Sequence, residues 1–376
     1  MVDGPSGNSK DSISRKGLAI NFFIWESTAY IAVLFKKSYD WVFKMNSFTF
    51  TENDCSFSEL YRDFLPKRII DAHMHLWQEE TIPSFYKDDG IFFRKECTPL
   101  DYEEDMKTMF PGVEQIDLMM MTFPDPAMAD TEKGLRDRAN RYIASYTKQN
   151  PEKYAMAPYV LYRDTEEEIE DMLLETNGCA IKVYGFSTGS LNISNLSIRD
   201  FLPESAWVVA QKKKVPIILH ILKPGCLSDE ENFSYITEMT NRYPDAPLVL
   251  AHCARSFAAW TGIRKIQELS DHGNIWFDMS AICESGPMMA CIMKNAAKRT
   301  MWGSDYPNSM YRGRAVSVGK WQNWLTELDD PGRVYLGQES LMAFYQAALL
   351  LNLDAGQIED IFCHNAEELY FHTFRK

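Results

Sequence analysis

Residues 69–75 read Ile-Ile-Asp-Ala-His-Met-His, an apolar start followed by two histidines separated by one residue. Alternate side chains of a β-strand share a face, so His73 and His75 point the same way, with their Cα atoms about 6.5 Å apart. Two such imidazoles can bind one ion, since neutral imidazole is a common ligand for zinc and related metals. The segment therefore predicts a strand with two metal ligands, although two histidines in ordinary polar contacts would give the same pattern.

From Arg68 onward, short apolar runs alternate with longer helical stretches, which is typical of a parallel α/β fold. Most of the runs are almost continuously apolar, as expected for strands covered on both faces. The predicted strands span residues 69–75, 115–121, 154–161, 179–185, 216–220, 248–253, 275–280 and 300–305. Eight such units favour a (β/α)8 TIM barrel over an open doubly wound sheet. We predict an N-terminal extension at residues 1–45 and the barrel domain at residues 46–376.

Helix signals lie between these strands. Residues 165–177 begin with acidic side chains and end at Asn177-Gly178, a C-cap pattern. Ser228 to Glu231 has capping-box spacing ahead of a helix that runs toward Tyr243. Residues 341–351 and 355–362 are further predicted helices. The long segment 81–109 predicts a loop at the C-terminal face of the barrel, where substrate contacts or a lid are common.

Chemistry in such a barrel lies at the C-terminal ends of the strands, and several polar residues of this chain fall there. They are His75, Lys182, His220, His252 and Asp305. A histidine or aspartate that ends an apolar strand is costly to bury without a partner, although each could separately be a satisfied core residue. Together these residues favour one shared site. The other histidines, His272, His364 and His372, are interpreted as structural or surface residues.

These residues resemble the motifs of the amidohydrolase superfamily, in particular its amidohydrolase-related group, which includes the aminocarboxymuconate-semialdehyde decarboxylase type. The matching segments, within residues 68–372, are Asp71–His75, His220, Leu250–His252, Trp302–Pro307 and Asn365–Tyr370. The resemblance implies a (β/α)8 barrel with one divalent ion, commonly zinc. It also implies that His73, His75, His220 and Asp305 bind the ion, and that His252 is an acid/base or polarising residue beside it.

Three nitrogen ligands and a carboxylate would leave a coordination position open for water or substrate, which is typical of a catalytic site. A bound ion lowers the pKa of its water to about 7. On this interpretation Asp305 accepts a proton during the attack, and His252 polarises a carbonyl or protonates the leaving group. Asp305 and His252 are therefore the predicted catalytic residues.

Two cationic residues have more than one interpretation. Lys182, on the fourth predicted strand, could bind a substrate carboxylate or form a structural ion pair, because a buried lysine needs a partner. Some members of the wider superfamily carry a carbamylated lysine on this strand that bridges two metals, so a binuclear site stays open. Arg255 suits bidentate binding of a carboxylate, or an ordinary salt bridge. Both are predicted substrate-binding residues.

Hydrolysis and decarboxylation are both compatible with this site. The ligand set favours hydrolysis of a lactone, ester or amide by metal-activated water. Decarboxylation of an unsaturated or aromatic acid would instead need proton delivery to carbon and a cation to steady the charge. Nearby aromatic residues would suit a planar acid, or would simply pack in their loop; they are Trp77, Phe85, Tyr86, Phe92 and Phe93.

Two other functional classes are open. Residues 185–189 read Gly-Phe-Ser-Thr-Gly, which fits a nucleophile pattern with Ser187 at its centre, and Asp305 and His364 follow later in the chain. However, the next residues read as a loop rather than the helix that such a nucleophile needs. A barrel that has lost its chemistry and serves as a binding module is the second alternative, which the retained ligand set disfavours.

Composition limits the partners of the protein. Its 376 residues, 45% apolar and 24% charged, allow a large core. A net charge of −14 speaks against nucleic acid as the main partner, so a small-molecule substrate is expected. The eight cysteines are scattered without a C-x-x-C pair and are interpreted as reduced thiols of a cytoplasmic protein. A homodimer is expected only because dimers are common.

The extension contains an apolar stretch at residues 17–35 with basic residues on both sides, close to the length of a membrane span. Glu26 lies near its middle, and a central acid is costly in lipid, so we expect no membrane anchor. The extension is interpreted as a packed appendage, or as a non-native upstream segment with Met45 as the start of the protein.

Overall fold

Parallel strands form the frame of the protein in the computed structural model, which describes residues 48–86, 90–269 and 273–371. They are β1 (Arg68–Gln78), β2 (Gln115–Thr122), β3 (Tyr154–Ala157), β4 (Ile181–Val183), β5 (Ile217–Leu219), β6 (Leu248–Leu250), β7 (Ile275–Asp278) and β8 (Thr300–Met301). Strands β1 to β3 pair in sequence order, and so do β4 to β8.

Two parallel bridges close these sheets into a barrel. Tyr159, just after β3, pairs with Lys182 on β4, and Met74 on β1 pairs with Tyr306 beyond β8. The backbone N–H of Ala72 also donates to the carbonyl oxygen of Trp302 at 3.1 Å. The predicted (β/α)8 TIM barrel is therefore confirmed. Strands β1 and β2 extend past their predicted ends, whereas β3 to β8 end earlier than predicted, because there the chain turns into loops near the point where the polar residues begin.

One buried cluster takes residues from strands all around the barrel and therefore fills its interior. It includes Ile70, Met119, Ala155, Ile218, Val249 and Met301. The C-terminal residues Leu369, Tyr370 and Phe371 belong to the same cluster. The larger core lies between the strands and the surrounding helices. Burial of both strand faces explains the almost continuously apolar sequence of the strands.

Strand β1 exchanges its two faces partway along its length. Its pairing with β2 shifts register between Asp71 and Met74. Before the shift, Ile70 and Ala72 belong to the interior cluster, whereas Met74 beyond it packs in the outer core. A one-residue shift moves side chains to the opposite face of a strand. His73 and His75 consequently lie on the interior side.

Helices occupy most connections between strands, and others precede β1 or follow the last strand. They span Glu52–Glu59, Pro99–Met106, Leu135–Gln149, Glu166–Thr176, Ile198–Phe201, Glu204–Lys213, Glu230–Arg242, Ile263–Glu268, Ser285–Asn295, Leu336–Leu351 and Ala355–Glu359. Two π-helical turns, Asp360–His364 and Glu367–Phe371, end the described chain. The segment Ala251–Arg255 also has helical hydrogen bonding, but four of its residues are left-handed.

Most of the predicted helices are confirmed, with differences at their ends. Thr165 caps its helix in a capping box, and Asn177 ends that helix in the left-handed conformation, as the sequence indicates. The prediction of Ser228 as a cap is wrong, because the Asp229 side chain accepts the capping hydrogen bond instead. The helix predicted to begin at residue 341 begins at Leu336, and the last one changes to π-helical turns after Glu359.

A β-hairpin that the sequence interpretation missed follows the last barrel strand. Its strands are β9 (Arg312–Val318) and β10 (Trp321–Glu327), which are antiparallel and joined by Gly319 and Lys320. A two-residue turn with glycine first, between segments of alternating character, is a known hairpin signal. A separate two-residue strand, Glu96–Cys97, pairs with the end of β1.

The predicted extension at residues 1–45, including its apolar stretch, lies outside the described residues. Within the described ranges, each helix is too short or too polar to cross a membrane.

Candidate metal centre and active site

Strand β1 brings two imidazoles to the interior of the barrel, with ring centroids 5.3 Å apart. Nδ1 of His73 donates to Oδ2 of Asp278 at 2.9 Å, and Nδ1 of His75 donates to the carbonyl oxygen of Thr122 at 3.0 Å. Both histidines are buried. Burial lowers the pKa of His73 to about 4, with Lys182 adding to the effect, and it also lowers the pKa of His75. Both rings are therefore neutral at pH 7, which is the form that binds metals.

The carboxylate of Asp305, just beyond β8, lies against these rings. Its Oδ1 is 3.3 Å from Nε2 of His75 and 3.7 Å from Nε2 of His73. The backbone N–H of Asp305 donates to the carbonyl oxygen of His73 at 2.7 Å, which ties the end of β8 to β1. Burial raises the pKa of Asp305, but the nearby His252 and the close approach of the His75 ring outweigh it and lower the pKa. Asp305 is therefore ionised at neutral pH.

Asp278, the last residue of β7, and Ser280, just beyond that strand, fix the orientation of His252. Nδ1 of His252 lies 2.8 Å from Oγ of Ser280 and 3.1 Å from its carbonyl oxygen. The Ser280 hydroxyl donates to Oδ1 of Asp278, and the backbone N–H of His252 donates to the same oxygen. Since that hydroxyl is already a donor, Nδ1 of His252 must carry the proton. The free lone pair is therefore on Nε2.

His252 begins a left-handed turn at the end of β6. His252, Cys253, Ala254 and Arg255 have φ values of 56°, 50°, 58° and 57°. The prediction that the sixth strand continues to Cys253 is wrong, because the strand ends at Leu250. Residues with side chains rarely adopt this conformation, and such strain is concentrated at functional sites. The turn directs both His252 and Arg255 to the cavity at the barrel mouth.

The predicted metal ligands do not converge in quite the way that the sequence predicts. Donor atoms of His73, His252 and Asp305 all lie within 4.8 Å of one another. His220 lines the same cavity, with its ring 5.0 Å from His252 and 4.6 Å from Tyr184. Burial and the neighbouring His252 lower the pKa of His220 well below its ordinary value. In this structure His252, rather than His220, shares a group of donor atoms within 4.8 Å with His73 and Asp305.

The two predicted substrate-binding cations also face the cavity. Nζ of Lys182 lies 3.4 Å from Nε2 of His73. Burial lowers the pKa of Lys182 to about 8, although Asp278 and Asp305 oppose the shift. Nη1 of Arg255 donates to the carbonyl oxygen of Lys223 at 3.4 Å. Among the described residues, neither cation has a carboxylate within 4.0 Å.

The cavity has a volume of about 360 Å³, and eight of the residues that line it are Phe, Tyr or Trp. Of the aromatic residues named from sequence, Tyr86 lines it, whereas Trp77 is buried and donates to the carbonyl oxygen of Arg94. The hairpin supplies lining residues that the sequence interpretation missed, namely Lys320, Gln322, Trp324 and Thr326. Asp278 was also missed, although it ends β7 as an acidic residue after an apolar run.

The serine alternative receives no support from the geometry. Ser187 is buried in a short 3-10 turn, and its hydroxyl donates to the carbonyl oxygen of Phe201 at 3.2 Å. His364, the proposed base, is half-exposed and contacts Asp360 at 3.1 Å. The serine hydroxyl is thus engaged by the backbone, and the histidine by a surface acid.

Comparison with known proteins agrees with this barrel. The fold is similar to a 4-oxalomesaconate hydratase from Rhodopseudomonas palustris, with a TM-score of 0.53 and 14% identity over 82% of this chain and 97% of that one. A probable 2-pyrone-4,6-dicarboxylic acid hydrolase from Acinetobacter baumannii gives a TM-score of 0.52 and 14% identity, covering 80% of this chain and 98% of that one.

A third similar structure is 2,6-dihydroxybenzoate decarboxylase from Rhizobium, with a TM-score of 0.51 and 15% identity over 81% of this chain and 98% of that one. No curated protein matches the chain. At such low identity these likenesses show the fold, and the different reactions of the three enzymes mean that the fold does not select the chemistry. The family model described as "Amidohydrolase" matches residues 70–371, so the chain belongs to the amidohydrolase family.

Proposed function

We propose that the protein is a metal-dependent hydrolase that cleaves a lactone, ester or amide in a small substrate bearing a carboxylate. One observation carries the proposal: buried imidazoles and a carboxylate from distant parts of the chain face one cavity, and acceptors hold the rings from behind. Metal-binding histidines commonly donate their second ring nitrogen to a carboxylate or carbonyl in this way.

The donor set fits a divalent cation. We assign His73, His75, His220 and Asp305 as its ligands and zinc as the ion, because nitrogen ligands with one carboxylate suit zinc in catalytic sites. When bound, the ion would supply a Lewis acid that polarises a carbonyl and activates water. Lys182, which lies beside Nε2 of His73, would then be free to meet an anionic group of the substrate.

Two residues would move protons. Asp305, ionised at neutral pH, would take a proton from the attacking water. His252 would first accept a proton at Nε2, where the lone pair is free because Nδ1 is held by Ser280, and the resulting imidazolium would then polarise the carbonyl or protonate the leaving group. The left-handed turn at His252 and the hydrogen bond from its backbone to Asp278 would keep the ring in place during these steps.

Charge supports an acidic substrate. The cavity is lined by three cations, Lys182, Arg255 and Lys320, and by one carboxylate, Asp305. The protein as a whole has a net charge of −14, so this local excess of positive charge stands against the general trend of the chain. A cation-lined cleft with apolar walls concentrates anions. A substrate carboxylate next to Arg255 and Lys182 would neutralise the excess positive charge of the cavity.

Decarboxylation of an unsaturated or aromatic acid is the second candidate, and the same cavity favours it. Aromatic side chains such as Tyr184 and Phe257 line the walls, and Lys182 lies beside the imidazoles, where a cation would steady negative charge on carbon. Assays on a panel of lactones, amides and unsaturated acids distinguish the candidates. Hydrolysis gives a new acid without gas, whereas release of CO2 would overturn the hydrolase proposal in favour of the lyase.

Ligand assignment is tested by elemental analysis of variants. We expect His220→Ala to lose bound metal and turnover while keeping the circular-dichroism spectrum of the wild type. His252→Ala should keep the metal and lose turnover. The reverse pattern, with metal lost only in His252→Ala, would show that the two histidines exchange roles, as the compact group of His73, His252 and Asp305 allows.

Metal stoichiometry tests the single-ion assignment. One ion per chain is expected, and two ions that fall to one in Lys182→Ala would favour the bridging lysine instead. A wild-type protein that binds no divalent ion would contradict the proposed function and favour the binding-module alternative. The cytoplasmic location and the homodimer stay predictions.

A further inference from the structure

One face of the β9–β10 hairpin lines the mouth of the active-site cavity. Gln322, Trp324 and Thr326 alternate along β10 and all three line the cavity. Their partners across the hairpin are the small residues Ser317, Ala315 and Gly313. Paired residues share a face of a two-stranded ribbon. The small side chains of β9 thus leave room on this face, and the larger side chains of β10 provide its contacts.

Aromatic contacts connect the hairpin with the catalytic centre. The ring of Trp324 lies 4.8 Å from Phe257, and Phe257 lies 5.4 Å from the ring of His252. At the outer end, Nζ of Lys320 lies 5.7 Å from the ring centroid of Trp260. Two cross-contacts therefore join the hairpin to the segment after β6. A row of rings leads from the proposed acid/base residue to the cavity mouth.

The first strand of the hairpin fixes the position of this face. Arg312 at its base makes two hydrogen bonds to Asp54, at 3.0 and 2.9 Å. Farther along, Nη2 of Arg314 donates to the carbonyl oxygen of Cys283 at 2.7 Å, and the backbone N–H of Ser317 donates to Glu284 at 2.9 Å. The cavity-facing side chains of β10 are therefore presented by a supported ribbon. A preorganised ribbon binds a ligand with less loss of conformational freedom than a mobile loop would.

Lys320 provides a positive charge at the far end of the cavity. It is exposed at the hairpin turn, and among the described residues no carboxylate lies within 4.0 Å of its ammonium group. Arg255 and Lys182 provide the cations close to the imidazoles. Cations thus occur at both ends of a passage whose middle is walled by Phe257 and Trp324.

We propose that the hairpin selects the substrate by binding the end of the substrate that is remote from the reacting bond. A planar, apolar part of the substrate packs against Trp324 and Phe257, and a polar or anionic group remote from the reacting bond meets Gln322 and Lys320. This inference rests on the proposed function, because it assumes that the near end of the substrate reacts beside His252. The substrate class is an elongated, planar acid with a second polar group opposite the reacting end.

Binding of unreactive acids to the metal-loaded full chain tests this proposal. The probes are benzoate, biphenyl monocarboxylate and biphenyl dicarboxylate, with affinity measured by isothermal titration calorimetry. We expect the wild type to bind the dicarboxylate most tightly. Trp324→Ala should weaken binding of both biphenyl acids about tenfold, since an aromatic contact contributes that much, and should leave benzoate unchanged. Lys320→Ala and Gln322→Ala should remove the preference for the dicarboxylate over the monocarboxylate.

Trp321→Ala is the matched control. Trp321 lies on the same strand, is 52% exposed and belongs to the opposite face of β10 from Trp324. We expect this variant to bind all three probes like the wild type. Circular dichroism and metal analysis establish that each variant is folded and contains metal. Because Lys320 is exposed, Lys320→Ala should leave the hairpin intact even if Trp324→Ala unfolds it.

Two results would overturn the inference. Equal affinities of Trp324→Ala, Lys320→Ala and wild type for the biphenyl acids would show that the hairpin does not contact the substrate. A wild type that fails to bind any biphenyl acid would do the same. Neither result affects the proposed function, which fails separately if the wild type holds no metal or if Arg255→Ala binds benzoate as well as the wild type does.

Discussion

Asp278 links several parts of the site through a single carboxylate. One oxygen accepts from Nδ1 of His73, and the other accepts from the backbone N–H of His252 and from Ser280. Burial alone raises the pKa of Asp278, but His73 and His252 outweigh it and hold the pKa below its usual range. The residue therefore orients a proposed ligand and the proposed acid/base group together, although it would contact neither metal nor substrate.

We predict that Asp278→Asn weakens metal binding about 10- to 100-fold, because loss of the carboxylate behind a ligating imidazole has that effect. A competition titration with a chromophoric chelator measures the affinity. Asp171→Asn, at an exposed position of the helix Glu166–Thr176, is the control and should bind metal normally. If Asp278→Asn retains wild-type affinity, the carboxylate has no role in orienting the ligand.

At the scale of elements, the hairpin depends on a buried ion pair at its base. Arg312 and Asp54 are almost fully buried, and Arg312 also donates to the carbonyl oxygens of Thr49 and Arg333. The pair joins the first described residues of the chain to β9. The hairpin is therefore held by a segment that precedes the barrel as well as by the barrel itself.

We expect Arg312→Ala to lower the free energy of unfolding by about 3–5 kcal/mol, because it leaves Asp54 buried without its partner. Arg314→Ala, on the same strand, should cost less than about 1 kcal/mol, since its ion pair with Glu339 is partly exposed. Urea denaturation followed by circular dichroism compares the two variants. Equal effects of the two substitutions would contradict the importance of burial for this pair.

At the scale of the whole molecule, closure of the barrel brings together residues far apart in the chain. Asp71 on β1 accepts hydrogen bonds from the backbone N–H groups of His73, at 3.1 Å, and Ser304, at 2.9 Å. A Cβ atom added at Gly303 would lie only 2.9 Å from Cβ of His73. The first and last strands therefore meet too closely for a larger residue at that position. An ion shared between them would stabilise the closed barrel.

Metal binding should consequently stabilise the entire fold. With free ion at 100 times its dissociation constant, we expect an increase of about 2.7 kcal/mol in the free energy of unfolding, which a chelator removes. Differential scanning calorimetry with and without zinc measures the shift. Asp305→Asn, which removes the proposed carboxylate ligand, should show a much smaller shift. A similar shift in this variant would indicate that the ion binds elsewhere.

The sequence by itself determined the order of strands and helices and the positions of most polar residues that end the strands. Continuous apolar runs, capping residues such as Thr165 and the spacing of His73 and His75 are local features, and local geometry follows from them directly. The hairpin was also readable in principle from its Gly319-Lys320 turn between alternating segments. Asp278 could have been found because it ends an apolar segment, as Asp305 ends the predicted eighth strand.

Only the tertiary structure decided which of these groups meet. The register shift in β1 turns His73 and His75 inward, and the left-handed turn after β6 places a donor atom of His252 within 4.8 Å of donor atoms of His73 and Asp305. Neither feature has a local sequence signal, because each arises from pairing and packing with strands that are distant in the chain. The position of the hairpin over the cavity mouth, where Trp324 contacts Phe257, likewise arises from packing with segments that are distant in the chain.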